Sequence, residues 1–145
     1  NIATGGGDTW AFYGNGTAWS YFGGPVIQTE TGWINAPAPP SKSAVATLTP
    51  AEVKTGLISC SGTSYTLTLP TASNLEAAFT GLPSTTSIGF EFSIVNGASG
   101  TITLAVNTGI TNGGIAGHLT VATATSGRFL LRRSAAATYV IYRIA

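Results

Sequence analysis

Ile88-Gly89-Phe90-Glu91-Phe92-Ser93-Ile94-Val95-Asn96, then Gly97-Ala98-Ser99-Gly100, then Thr101-Ile102-Thr103-Leu104-Ala105-Val106 is the stretch that decides the fold. Ile88, Phe90, Phe92 and Ile94 recur at every second position, and Gly89, Glu91, Ser93 and Val95 fill the positions between. A period of two puts one set on each face of a strand. The glycine-bounded loop at 96–100 is expected to reverse the chain into a second strand, 101–106. No Asp, Glu, Lys or Arg occurs from Phe92 to Gly127. The alternation there rests on threonine and serine against aliphatic residues.

The same pattern extends in both directions. Upstream, Tyr65, Leu67 and Leu69 alternate with Ser64, Thr66 and Thr68, and Pro70 ends that strand. Ser73 with Glu76 three residues later fits a capping box. Leu75, Ala78 and Phe79 then make a short apolar stripe before Gly81, so one brief helix is expected. Downstream, a looser segment at 107–117 leads to His118–Thr123. Two last strands follow, Arg128–Arg133 and Tyr139–Ile144, joined by Ser134–Thr138. The reading is an all-β domain over residues 48–145: an antiparallel β-sandwich or jelly-roll-like barrel with one short helix. Its expected core includes Leu67, Leu69, Phe79, Phe90, Phe92, Ile94, Ile102, Leu104, Val121 and Phe129.

Residues 36–47 are read as a linker, because Pro37, Pro39 and Pro40 favour an extended spacer. Before it, residues 1–35 make a small aromatic β-hairpin unit. Thr9–Tyr13, the turn Gly14-Asn15-Gly16 and Thr17–Phe22 set aromatic residues across from one another. Such a short unit buries too little surface to stand alone, so it is assigned to attachment.

Composition narrows the function classes. Charged residues are 8% of the chain and the net charge is +1, against about a quarter in ordinary domains. A surface so poor in charge favours association. The chain has one cysteine and one histidine, which excludes an internal disulfide and a cysteine-based zinc site. Cys60 reads as a small buried apolar residue and His118 as a solvated strand residue. The acids Asp8, Glu30, Glu52, Glu76 and Glu91 are widely spaced and nominate no catalytic pair. Gly5-Gly6-Gly7 and Asn112-Gly113-Gly114 precede no helix that would cradle a phosphate. The chain is therefore read as not an enzyme and as needing no cofactor or metal. No apolar run reaches the roughly 18 residues of a membrane span, so no membrane partner is expected. The weak basic balance argues against a nucleic-acid partner.

Two residue sets are candidate interfaces. Trp10, Trp19 and Trp33, with Phe12 and Tyr21, form either the miniature core of the N-terminal unit or an anchoring patch. Arg128, Arg132, Arg133 and Arg143 cluster in the last strands, either as a solvated rim or as partners for carboxylates across an interface.

The succession Leu48-Thr49-Pro50-Ala51-Glu52-Val53, Tyr65-Thr66-Leu67-Thr68-Leu69-Pro70-Thr71-Ala72, Gly89–Asn96, Thr101–Ala105, Thr125-Ser126-Gly127-Arg128-Phe129 and Tyr139-Val140-Ile141-Tyr142-Arg143 resembles β-rich modules of tailed-phage particles. The resembling family is the capsid decoration (cement, head-fibre) proteins, and the resemblance runs from about Leu48 to the C-terminus. It implies a structural homotrimer on the outer capsid surface of a virion, bound to the major capsid protein, with no catalytic residues. The alternative is a phage fibre or receptor-binding module that recognises host surface glycans.

Overall fold

The computed structural model describes residues 37–79 and 88–145. The aromatic unit expected at 1–35, with Trp10, Trp19 and Trp33, lies outside the described residues. Within them the fold is mostly strand. The strands are β1 (Ser41–Lys42), β2 (Ala46–Thr47), β3 (Leu57–Cys60), β4 (Tyr65–Thr68), β5 (Gly89–Asn96), β6 (Ile102–Ala105), β7 (Ile110–Asn112), β8 (Thr120–Val121), β9 (Thr125–Ala135) and β10 (Thr138–Arg143). They form a six-stranded sheet in the order β1-β3-β5-β9-β10-β7 and a four-stranded sheet in the order β2-β4-β6-β8. The all-β class holds.

The pairing is mixed, not antiparallel throughout as expected. From β1 to β8 successive strands alternate between the two sheets. Ser41 lies beside Ser59, and Ser59 beside Val95, all in parallel register. Ala46 lies beside Leu67, and Leu67 beside Leu104, again in parallel. Each strand pair β1–β2, β3–β4 and β5–β6 is thus one rung, and the three rungs stack in the same direction. The loop at 96–100 is a corner between sheets, not the reversal expected from its glycines. A fourth rung, β8–β9, rounds the same corner backwards: Val121 pairs with Ile102 and Thr125 with Asn96, both antiparallel. β9 and β10 then form the expected C-terminal hairpin. β7, inside the segment taken as loose, adds to β10 in parallel. The strands also reach back into the stretch taken as linker, since β1 and β2 occupy 41–47 and build the first rung.

Alternation fills the space between the sheets as a period of two requires. Ile58, Phe92, Ile94, Phe129, Leu131 and Ile141 from the larger sheet meet Leu67, Ile102, Leu104 and Val121 from the smaller. The Phe92 and Phe129 rings stack at 5.5 Å between centroids. Eight of the ten expected core residues belong to this cluster; the other two, Phe79 and Phe90, are only partly buried and pack against it, with ring centroids 4.6 Å apart.

There are two helices among the described residues, not one. α1 (Pro50–Lys54) opens on a full capping box: the Thr49 hydroxyl accepts from the Glu52 amide, Glu52 accepts from the Thr49 amide, and Pro50 sits where no amide is needed. α2 (Ala72–Ala78) is capped by Thr71, whose hydroxyl accepts from Asn74 N. Ser73, the expected cap, is inside the helix and exposed. Val53 and Leu75 drive the helices into the core.

Candidate functional surfaces

The common corner is built around a buried, fully hydrogen-bonded polar side chain. Asn96 ends the inward side of β5 and is 1% exposed. Its Nδ2 donates to Gly100 O and Val121 O, both at 2.9 Å, and its Oδ1 accepts from Ala98 N at 2.9 Å. One side chain therefore ties the third rung to the reversed fourth, with every amide hydrogen used. Backbone bonds carry the stack around the bend: Ser61 N donates to Lys42 O, Gly97 N to Cys60 O and Ser99 N to Gly62 O, at 2.8–2.9 Å. Gly62 (φ +86°) lies so close to the preceding rung that a Cβ would stand 2.8 Å from Ser43 O. Only glycine fits there.

Among the described residues the first rung is the outer edge of the stack, and its inward charge marks it. Lys42 pairs with Glu52 at 2.5 Å, and its carbonyl accepts the Tyr65 hydroxyl at 2.6 Å. Burial works against ionisation of Glu52, but Lys42 and Thr49 outweigh it and hold the carboxyl below its usual value. An inward lysine on a two-residue edge strand discourages pairing with a foreign strand. Cys60, beside Lys42 in register, is buried. Burial pushes its thiol up, and likewise the Tyr65 hydroxyl. The expectation of a small buried residue holds. His118 is not the solvated strand residue expected: it lies in the turn before β8, half-buried against Gly114.

The candidate arginines separate. Arg133 points inward, 8% exposed, and pairs through Nε with Glu76 at 2.5 Å. Its carboxylate partner is in its own chain, so it is not free to serve an interface. The Arg133 hydrogen bond holds the Glu76 carboxyl low. Arg143 is a clamp on the chain end, donating to Ala145 O at 3.0 Å and to Thr120 O. Arg128 and Arg132 lie on the outer face of the six-stranded sheet and are exposed. Arg128 pairs with Glu91. Arg132 sits beside Gly89 and Val140 and has no ion pair among the described residues. The structure thus brings only Arg128 and Arg132 together on one surface.

The two outer faces differ in kind. On the four-stranded sheet Thr66, Thr103 and Thr120 align across three strands, beside a second row of Thr47, Thr68 and Ala105. This face is polar and uncharged, with a shallow depression of about 350 Å³ at Thr103, Leu119 and Thr120. On the six-stranded sheet the rows are Glu91-Leu130-Tyr142, Ser93-Arg128 and Gly89-Arg132-Val140. Leu57 joins Ser93, and Val95 joins Ser59. Leu57, Val95 and Ile144 are 38–44% exposed. Tyr142, Leu130 and Val140 are half-buried. Sequence reading grouped the four arginines as one candidate interface; it did not bring Leu57, Val95 and Tyr142 to the face of Arg128 and Arg132, because neighbours across strands are far apart in the chain.

No three His, Cys, Asp or Glu side chains among the described residues come close enough to hold a metal ion. No described helix is long and apolar enough to cross a membrane. No family model, curated protein or solved structure matches this chain.

Proposed function

We propose that this chain is a capsid decoration (cement) protein of a tailed phage, bound as a homotrimer to the major capsid protein on the outside of the head. The observation that carries the reading is the use of charge and surface. Glu52, Glu76 and Glu91 are each committed to an ion pair with Lys42, Arg133 and Arg128, two of them fixing edges and helices of the body. What the described residues offer outward is two broad sheet faces. A protein that holds a shell together needs contact area and rigidity, and stacked rungs locked through one corner supply both. In this reading the two sheets serve as a β-sandwich body, and residues 1–35, with Trp10, Trp19 and Trp33, make the attachment.

The test is decoration of particles. Purified chain added to heads that lack it should co-sediment to a saturating stoichiometry and appear in electron cryomicroscopy as density over symmetry-related capsid positions. Density on a tail fibre, or no co-sedimentation with heads, overturns the reading.

A further inference from the structure

An Asn-Gly step is chemically labile, because a glycine without a side chain lets its nitrogen swing onto the asparagine Cγ. Two such steps occur among the described residues, Asn96-Gly97 and Asn112-Gly113; the third, Asn15-Gly16, lies outside them. Both described asparagines end a strand and follow a β-branched residue, Val95 or Thr111, so their intrinsic reactivities are alike. In both, the nitrogen that would attack donates into a ladder at 2.9 Å, Gly97 to Cys60 O and Gly113 to Ile141 O. The fold guards them unequally. Asn96 is 1% exposed, both Nδ2 hydrogens are bonded, and β5 lies between β3 and β9. Asn112 is exposed, and the one hydrogen bond of its side chain among the described residues is at Oδ1, from Gly114 N at 3.0 Å. Its β7 is three residues long and is held, among the described residues, by β10 alone. The glycine cannot be exchanged for a safer residue, since a Cβ on Gly113 would collide with the Tyr142 ring and the Val140 side chain. Packing therefore retains the labile step at the edge of the sheet.

We propose that Asn112 is a self-modification site, converted to aspartate and isoaspartate whenever β7 leaves β10, while Asn96 is held intact until the whole domain unfolds. The five-membered ring cannot close on an extended strand whose glycine N–H is bonded, so the reaction runs through the open state. Short, one-sided edge strands open at a fraction of the free energy of global unfolding. In the open state the Gly113 nitrogen gives its proton to solvent base and attacks Asn112 Cγ. The new C–N bond closes a succinimide as Nδ2 takes a solvent proton and leaves as ammonia. Water then opens the ring at either carbonyl, and no oxidant is involved. Isoaspartate routes the main chain through the former side chain, so the register of Asn112 with Ile141 cannot re-form. Either product puts a negative charge at the rim of the uncharged depression formed with Thr103, Leu119 and Thr120. The step is irreversible, so β7 records the time it has spent open. This inference does not depend on the reading as a decoration protein.

The test is timed incubation of the full chain in mildly alkaline buffer, with and without denaturing guanidinium, followed by tandem mass spectrometry that scores each asparagine separately. In denaturant Asn96 and Asn112 should convert at similar rates. In buffer Asn112 should convert at least about tenfold faster than Asn96, yet more slowly than it does in denaturant. Urea below the unfolding transition should accelerate Asn96 and leave Asn112 nearly unchanged, because local opening exposes little surface. Asn112→Gln should remove the fast native conversion and keep the circular dichroism spectrum. An Asn112 that stays intact in buffer as long as Asn96 does overturns the proposal. So does an Asn112 rate in buffer equal to its rate in denaturant, since the ladder would then guard nothing, and so does equal acceleration of both sites by low urea.

Discussion

Replacing Asn96 by alanine tests whether the corner, rather than the sheets alone, holds the rungs together. The substitution removes three hydrogen bonds of 2.9 Å at a site 1% exposed. Gly100 O is only partly buried and can turn to water. Val121 O and the Ala98 amide belong to residues 0% and 2% exposed and lose their partner without replacement. A stranded buried polar group costs about 1–3 kcal/mol, so two give about 2–6 kcal/mol. With a urea slope near 2 kcal/mol/M, the midpoint should fall by about 1–3 M. The assay is urea unfolding followed by circular dichroism at one fixed protein concentration, because association would move the midpoint. Asn96→Asp sharpens the test: it keeps the acceptor for Ala98 N but aims a carboxylate oxygen at two carbonyls. Its folded pKa must rise, so its stability should be better at low pH and decline as pH rises through that value. A loss under about 0.5 kcal/mol for Asn96→Ala, within the range of a surface change, would refute the reasoning.

Cys60 should resist an aromatic disulfide reagent in the native protein and react fully in denaturant, since its thiol is buried and pushed up; rapid native labelling would contradict its placement. The Glu76 and Glu52 carboxyls are held below 4.5, so their stabilisation is complete above that value and lost as pH falls through the folded ones. Thermal melts should therefore weaken on the acid side, and Glu76→Gln should flatten part of that slope while lowering the melting temperature near neutrality. Removing residues 1–36, which leaves the first rung whole, should preserve the folded β-domain by circular dichroism and reduce occupancy on heads. Undiminished occupancy would move the anchor into the β-domain.

The alternating residues were legible because a period of two fixes which side chains share a face. It says nothing of which strand lies beside which, or in what direction. That is why Phe92, Ile94 and Leu104 were placed correctly in the core while the parallel register of β1, β3 and β5 was not. Asn96-Gly97-Ala98-Ser99-Gly100 carries turn chemistry that serves a corner as well as a hairpin, and the deciding partner, Val121, is 25 residues away. α1 was readable from Thr49-Pro50-Ala51-Glu52, a capping box with proline in its place, but five residues carry too little apolar period to stand out. Alternation puts Arg133 on the opposite face from Arg132, but the acid that claims it, Glu76, lies 57 residues upstream, so it stayed among the interface candidates.

The reversed fourth rung also dictates when the molecule can form. β5 is the central bridge of the larger sheet, and its long partner β9 runs to Ala135 of a 145-residue chain. Until β9 has been synthesised, β1 to β5 have only parallel neighbours of two to four residues a side, each closing a long loop for few bonds. Folding from the leading end is therefore unfavourable. The β9–β10 hairpin closes the shortest loop and is the natural nucleus, with β5 condensing onto it and the earlier rungs following in reverse order of synthesis. A chain truncated before Thr125 should fail to fold at all rather than yield a shorter stack.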